Sequence, residues 1–576
     1  MLKILLFTLL IISYQAISKT EVCPDIFIAD KTEISFTKTE KKLVCGDRET
    51  EAYQKIPFYQ AQFFLKGFLQ SRSYLNPKFE VQDNILIIYP GDIAYLKNIS
   101  AFHENGQREK KLEKEVKRRL GGYELNPSLL NRIESETNKF LRHVGYPCPK
   151  VESEVDIESN DVKMRLLDLN KQAFGEITKQ EIPGLNPNAL DRYYPFKSQD
   201  RFDGDLLDLT EKRLLRSETV QGSYFLESCK DHGKSFSLSQ YYLLGPPRTL
   251  RFGAGASTEV GPMARIRWAN NRLGPMASFL GANLQASFRT QSLVITSDSY
   301  LWENHPRTSL FSELEIKRES QQEYEELTYK VKSLGKWTTE SLNRFWEYAI
   351  GPALEAGSYH SQTLSSTRSY ATGALVGGVK WISHNYELFD IHPEEGDTFL
   401  FYFNYRNRSL GFTEELLRLD SSYAKLFKLS NSGRGDFIFG LRVNAGTSWT
   451  NDQVQLKDLP PSMKFYGGGS DDVRGFYLQT LPKNDGAGAL TKLGTKLEVR
   501  RTRFLFEPVE AFVFFDGAYF GDKSWNTSPR FWHSPGIGLR WLSPIGLVQA
   551  FGARSLVTAP SEDMGNLFYL GLGGTF

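Results

Sequence analysis

The 576-residue sequence predicts a series of small α+β modules followed by an all-β transmembrane barrel of about 16 antiparallel strands. Three observations point there. All four cysteines (Cys23, Cys45, Cys148 and Cys229) precede residue 245, and all nine tryptophans, from Trp268 to Trp541, follow it. Tryptophan favours membrane–water interfaces, where its ring is dry and its N–H is wet, whereas an even cysteine count suits small exported domains. Next, beyond residue 18 no run approaches the roughly 20 apolar residues of a membrane helix. The chain is nevertheless rich in Phe, Tyr and Gly and mildly hydrophilic on average, as alternating lipid-facing and water-facing positions would make it. Finally, residues 567–576 read as a terminal strand with Phe568, Leu570, Leu572 and Phe576 on one face.

At the N-terminus, Lys3 precedes an apolar run broken only by Thr8, and Ala16-Ile17-Ser18 supplies small residues. Residues 1–18 therefore read as a secretory signal peptide. Glu21-Val22 before Cys23 lacks the small residue a lipid-attachment site needs. The four cysteines allow three pairings, of which Cys23–Cys45 with Cys148–Cys229 is favoured; their spacing does not suggest zinc.

Three modules follow, at residues 19–90, 91–170 and 171–244, each expected to hold a strand, one helical stretch and a closing hairpin. The first helix, near residues 57–69, aligns Phe58, Ala61, Phe64, Leu65 and Phe68 on one face. Its hairpin turns at Asp83-Asn84. The second helix, near residues 127–144, exits at Gly145-Tyr146-Pro147, with a hairpin around Asn160-Asp161. The third lies near residues 205–216, with strands at 219–227 and 235–243. The basic run at residues 108–119 reads as a solvated helix face. Gly245-Pro246-Pro247 marks the boundary with the barrel, residues 245–576. The helix–Gly-Tyr–hairpin pattern resembles POTRA domains, the periplasmic modules of outer-membrane assembly proteins; an ordinary α+β series is the alternative.

In the second half, alternating runs such as 249–260, 399–405, 436–445 and 510–520 are separated by Gly, Asn, Asp, Ser and Pro. The sharpest motif is Gly467-Gly468-Gly469-Ser470-Asp471-Asp472-Val473-Arg474-Gly475-Phe476. Its Val473, Arg474, Gly475 and Phe476 match the loop motif of the BamA/TamA/FhaC outer-membrane assembly superfamily. Residues 493–500 (Leu-Gly-Thr-Lys-Leu-Glu-Val-Arg) and 512–520 (Phe-Val-Phe-Phe-Asp-Gly-Ala-Tyr-Phe) resemble two strands of that family. Residues 534–546 resemble its penultimate hairpin. Two positions depart from the pattern: Gly517 follows Asp516 one residue earlier than usual, and Gly574 stands where a bulkier residue is common.

The residues make chemical sense on their own. If Leu497 and Val499 face lipid, Glu498 and Arg500 face the lumen, and Asp516 on the next strand also points inward. Ionised groups in a barrel wall need partners. The resemblance implies that residues 461–487 fold back into the lumen, where Arg474 can pair bidentately with a carboxylate and pin the loop. It also implies a weak seam between the first strand, near residues 250–259, and the last.

No Gly-x-Ser-x-Gly or His-Glu-x-x-His occurs, and Gly233-Lys234-Ser235 has Ser228 where a P-loop needs glycine. A net charge of +2 offers no argument for nucleic acid. The expectation is a protein that is not an enzyme, with no cofactor, no metal and no nucleic-acid partner. By resemblance it sits in a bacterial outer membrane with its N-terminal domains in the periplasm. There it helps insert or export β-barrel or autotransporter-type proteins, without nucleotide, by β-augmentation on POTRA edges and a lateral seam. Three modules plus a barrel resemble the TamA type most closely, which implies a TamB-like inner-membrane-anchored partner beside unfolded outer-membrane protein clients and outer-membrane lipids. The alternative is a dedicated two-partner secretion pore for one exported protein. Such pores usually carry a lumen-plugging helix before two modules, and no such segment is evident after Ser18. A passive porin would need no arm of this length.

Overall fold

The computed structural model describes residues 19–572 except 30–33, 47–55, 230–234, 362–365, 389–392, 408, 410–414, 430–434, 451–454, 507, 545 and 559–561. The expected signal peptide (residues 1–18), Gly574 and Phe576 lie outside the described residues. The chain divides into two units, one running to Arg142 with Cys148–Asn170, the other comprising His143–Pro147 and Lys171 onward.

The first unit holds two modules. In the first, β1 (Lys19–Cys23), β2 (Ile26–Ala29), α1 (Lys38–Cys45), α2 (Phe58–Ser71), β3 (Lys78–Gln82) and β4 (Ile85–Tyr89) follow in order. The sheet runs β1-β2-β4-β3, with β2 parallel to β4 and β3 returning as a hairpin. Asp83 and Asn84 turn that hairpin at φ +50° and +63°, the left-handed conformation that a two-residue type I′ turn requires. Ala61, Leu65 and Leu69, spaced by four on α2, pack against Ile26, Ile28, Leu86 and Ile88. Cys23 and Cys45 are disulfide-bonded, their Cα atoms 5.8 Å apart, tying β1 to the end of α1. The second module contains β5 (Asn98–His103), α3 (Lys110–Leu120), α4 (Pro127–His143), β6 (Lys150–Asp156) and β7 (Asp161–Leu167). It repeats the plan: β5 runs parallel to the central β7, and β6 closes the hairpin.

The first module has two helices where the sequence pattern suggested one, and in the second the basic run expected as a solvated helix face joins α4 as a packed helix. Thr37 and Glu40 start α1 with a reciprocal capping box. The basic run proves to be α3, whose Leu112, Val116 and Leu120 are buried while its charges face water and pair, as Arg108 does with Glu113 at 2.9 Å. One apolar residue per turn is enough to seat a helix on a sheet, and eleven residues dominated by charge hide that stripe.

The second unit begins with the third module: β8 (Ala173–Lys179), α5 (Gly204–Arg216), β9 (Gly222–Glu227) and β10 (Ser235–Leu243), with β8 parallel to the central β10. Phe174, Phe202 and Phe236 pack in its core. Sixteen antiparallel strands then close into a barrel. They are β11 (Arg248–Ser257), β12 (Gly261–Leu273), β13 (Ser278–Ser287), β14 (Thr290–Ser299), β15 (Thr308–Ser320), β16 (Tyr324–Ser341), β17 (Arg344–Ser361) and β18 (Arg368–Ser383). After α6 (His384–Leu388) come β19 (Gly396–Arg406), β20 (Leu416–Lys428), β21 (Phe437–Thr450), β22 (Thr491–Arg501), β23 (Val509–Gly521), β24 (Phe531–Ser543), β25 (Gly546–Thr558) and β26 (Glu562–Leu572). The first strand ends sooner than the sequence pattern suggested, leaving Glu259 in the turn. Outward positions such as Leu310 and Leu314, Ile350 and Leu354, or Ile537, Leu539 and Trp541 expose apolar side chains at every second residue, the signature of a lipid-facing wall. Among the described residues, no helix is long and apolar enough to cross a membrane.

The third module is fastened to the barrel rim where the chain enters it. Arg213 of α5, almost wholly buried, pairs with Glu340 at 2.6 Å, at the end of β16, and with Glu387 at 2.8 Å, on α6 after β18. Arg192 donates to the carbonyls of Met276 and Ala277 at 2.9 and 2.8 Å and lies 3.7 Å over the Tyr300 ring. Glu218 grips β11 through Arg251 at 2.7 Å.

One carboxyl in this module carries a pH signature. Burial, then repulsion from Asp208, pushes the Glu211 carboxyl on α5 up to about 7, although the Phe225 amide donates to it. A folded-state value above the unfolded one means that stability falls as pH rises from the ordinary glutamate range through about 7. Glu211→Gln should match the native protein in α5 hydrogen-exchange protection at about pH 5 and exceed it at about pH 8. Parallel profiles across that range would refute this assignment.

Candidate functional site: the inward loop and the barrel seam

The connection between β21 and β22 touches the wall from many directions. Ser470 reaches Glu259 in the turn after β11, Ser462 reaches Glu355 on β17, and the carbonyls of Ser462 and Lys464 accept from Arg418 on β20 at 2.6 and 3.0 Å. Arg474 reaches β22 and β23, and Gly475 packs on Ser534 of β24. A segment that contacts strands around the whole circumference must run inside the barrel.

Glycines permit this path where side chains could not. Gly468 and Gly469 have φ of +100° and +97°, and a Cβ on Gly468 would strike the Tyr477 carbonyl. A Cβ on Gly475 would lie 2.5 Å from the Ser534 Cβ, and the Gly475 carbonyl accepts from the Ser555 hydroxyl. Val473 and Phe476 are buried with Trp532 and Val557, Phe476 meeting Trp532 edge to face at 5.7 Å.

Arg474 is 3% exposed and Asp516 is fully buried. The guanidinium forks onto Asp516, Nε to Oδ2 at 2.6 Å and Nη2 to Oδ1 at 2.9 Å, while Nη1 donates to Glu498 Oε2 at 2.6 Å. The Arg474 amide adds a third bond to Asp516 at 3.2 Å. Beneath the guanidinium, its carbon lies 3.6 Å from the Phe514 ring centroid. The register explains this convergence. Asp516 lies opposite Lys496 and Phe514 opposite Glu498, so the two carboxylates sit on the diagonal of one inward face with the aromatic ring between them.

Arg500 is not part of this cluster. It shares the inward face of β22 but donates to the Pro393 carbonyl. The second cation at Glu498 is Arg540 of β24, at 3.5 Å, which also reaches Glu510 at 3.4 Å. The outward alternation of Ile537, Leu539 and Trp541 leaves Arg540 facing inward, so the signal was present in the sequence. Glu259 was also missed as a loop ligand. It accepts from the Ser470 amide at 3.0 Å and hydroxyl at 2.8 Å, and nothing in a lone turn glutamate announces a partner 211 residues away.

β11 pairs with β12 along its whole length, from Arg248 to Ser257. With β26 it pairs among the described residues only at Ala256↔Leu572 and Ser257↔Gly571, extended by the Thr258 amide donating to Leu570 at 2.9 Å. Phe568, Leu570 and Leu572 are exposed on the outer face, Phe568 at 68%. Inside the seam a cavity of about 310 Å³ is lined by Glu259, Ser470, Asp471 and Tyr569. Cys148 and Cys229 are each disulfide-bonded, and among the described residues no cysteine is free.

The Omp85 superfamily domain matches residues 243–576, more than half of the chain, and the protein belongs to the Omp85 superfamily. It is an outer-membrane β-barrel with POTRA-like modules on its periplasmic side. Among solved structures it is similar to BamA from Haemophilus ducreyi lacking POTRA domains 1–3, at 13% identity over 83% of this chain and 100% of that one, with a TM-score of 0.49. It is also similar to CdiB from Acinetobacter baumannii, at 16% identity over 84% and 90% with a TM-score of 0.46, and to CdiB from Escherichia coli, at 11% over 94% and 99% with a TM-score of 0.47.

Removing Arg474 strands the buried Asp516 carboxylate in the wall and leaves Glu498 only Arg540, and breaking a buried pair this way costs about 3–5 kcal/mol. Arg474→Ala should therefore keep the heat-modifiable mobility of a closed barrel but release the loop, so that limited proteolysis cuts near residues 467–476. Equal protease resistance in variant and native protein would show that the pair does not hold the loop.

Proposed function

We propose that this protein inserts or translocates other proteins at the outer membrane, acting as a conformational device rather than an enzyme and using neither nucleotide nor cofactor. The observation that carries this reading is a firmly pinned inward loop that also contacts, through Ser470 and Glu259, the end of β11 where the first and last barrel strands meet. A barrel that parts where those strands meet can open sideways and offer strand edges to a client strand. The exposed edges of β3, β6 and β9 present unpaired backbone to extended segments, the geometry of β-augmentation. The clients are unfolded outer-membrane proteins of the barrel or autotransporter type. With three modules on the periplasmic side, the architecture fits the TamA type, for which an inner-membrane-anchored TamB-like partner at the modules is the corresponding expectation.

Two measurements test this. Depletion followed by joint quantification of the outer-membrane proteome and the secreted fraction should lower several unrelated barrel proteins; loss of one secreted protein alone would favour the dedicated secretion pore. A double variant, Ala256→Cys with Leu572→Cys, places thiols at a paired seam position and should lose activity when oxidised and regain it on reduction. Full activity of the oxidised, crosslinked protein would rule out a parting seam.

A further inference from the structure

We propose that the barrel lumen contains a binding site for a phosphate-class oxyanion, centred on Lys464. A cavity of about 670 Å³ separates the inward loop near residues 461–466 from the wall, and it lies apart from the Arg474 cluster. Most of its lining cations are already neutralised. Lys317 pairs with Glu319 at 2.8 Å, Arg406 with Glu355 at 2.9 Å, Arg418 with Asp420 at 2.9 Å, and Lys492 with Asp472 at 2.8 Å. Two cations remain. Lys330 makes no ion pair among the described residues, and Lys464, only 2% exposed, has no hydrogen-bond partner for its Nζ. The buried Glu326 is not its counter-ion within 4 Å; that carboxylate accepts from Tyr370 at 3.1 Å and the Ser462 amide at 3.5 Å.

The main chain of this lysine is tied to the wall: its amide donates to the Pro461 carbonyl at 3.0 Å and its carbonyl accepts from Arg418 at 3.0 Å. A buried ammonium with nothing to bond is costly. The cavity is polar and large enough for a compact anion, and Asn404, Asn444 and Gln479 line it with side-chain amides that can donate. A tetrahedral oxyanion would accept from Lys464 and these amides at once, with Lys330 as a second cation on the cavity wall. The same chemistry is offered by free phosphate or by a lipid headgroup phosphate.

The test uses the purified full chain in a non-ionic detergent, titrated with inorganic phosphate by calorimetry and phosphorus NMR. Saturable binding is expected, weakened about tenfold or more by Lys464→Gln and reduced by Lys330→Gln, with Lys66→Gln on an exposed helix face behaving as native. Heat-modifiable mobility reports whether each variant forms its barrel, and Lys330→Gln keeps the test decisive if Lys464→Gln does not fold. Displacement of phosphate by glycerol 3-phosphate would assign the headgroup as the source, and failure to displace would assign the free ion. No saturable binding by the native protein at about 10 mM, or equal binding by Lys464→Gln, overturns the proposal and leaves water as the partner of Lys464.

Discussion

The interior of this barrel is organised around one guanidinium. Arg474 satisfies two carboxylates from adjacent strands; without it Asp516 would be an unpaired buried charge and Glu498 would keep only Arg540 at 3.5 Å. The pair is therefore less a source of net stability than a condition of geometry: once β22 and β23 place Glu498 and Asp516 inward, the loop must deliver a cation to them. Gly468, Gly469 and Gly475 follow from that requirement, because only a chain without side chains at those points can approach the wall closely enough. Phe514 fits the same logic, since a planar cation that is dry on one side gains from an aromatic face.

The loop is held at β23 through Asp516 and at the end of β11 through the Glu259–Ser470 contact, so one segment ties the Arg474 cluster to the edge of the first barrel strand. Glu259 is more than a turn residue in this light. It is where a change in seam pairing would be felt by the loop.

Much of this was legible before any coordinates, and for physical reasons. Barrel strands announce themselves by period-two alternation, hairpins by Asp-Asn and Asn-Asp turns, and Glu498 and Asp516 by being ionisable at inward positions. The modules were legible in order but not in full. The buried stripe of α3 was masked by its own charges, and α1 depends on a capping box only four residues long. Arg500 looked equivalent to Glu498 because alternation assigns a face and not a partner; two residues along a strand are roughly 7 Å, enough to carry a side chain out of one cluster and into another. Glu259 and Ser470 were invisible because contacts at long sequence separation leave no local pattern.

The rim contacts of the third module have a directional consequence. Glu218 holds β11, while Arg213 holds the end of β16 and the helix after β18, so the module braces the first strand against the opposite wall like a strut across a hoop. A pull on the module is thereby passed at once to the barrel's first strand and to its far side.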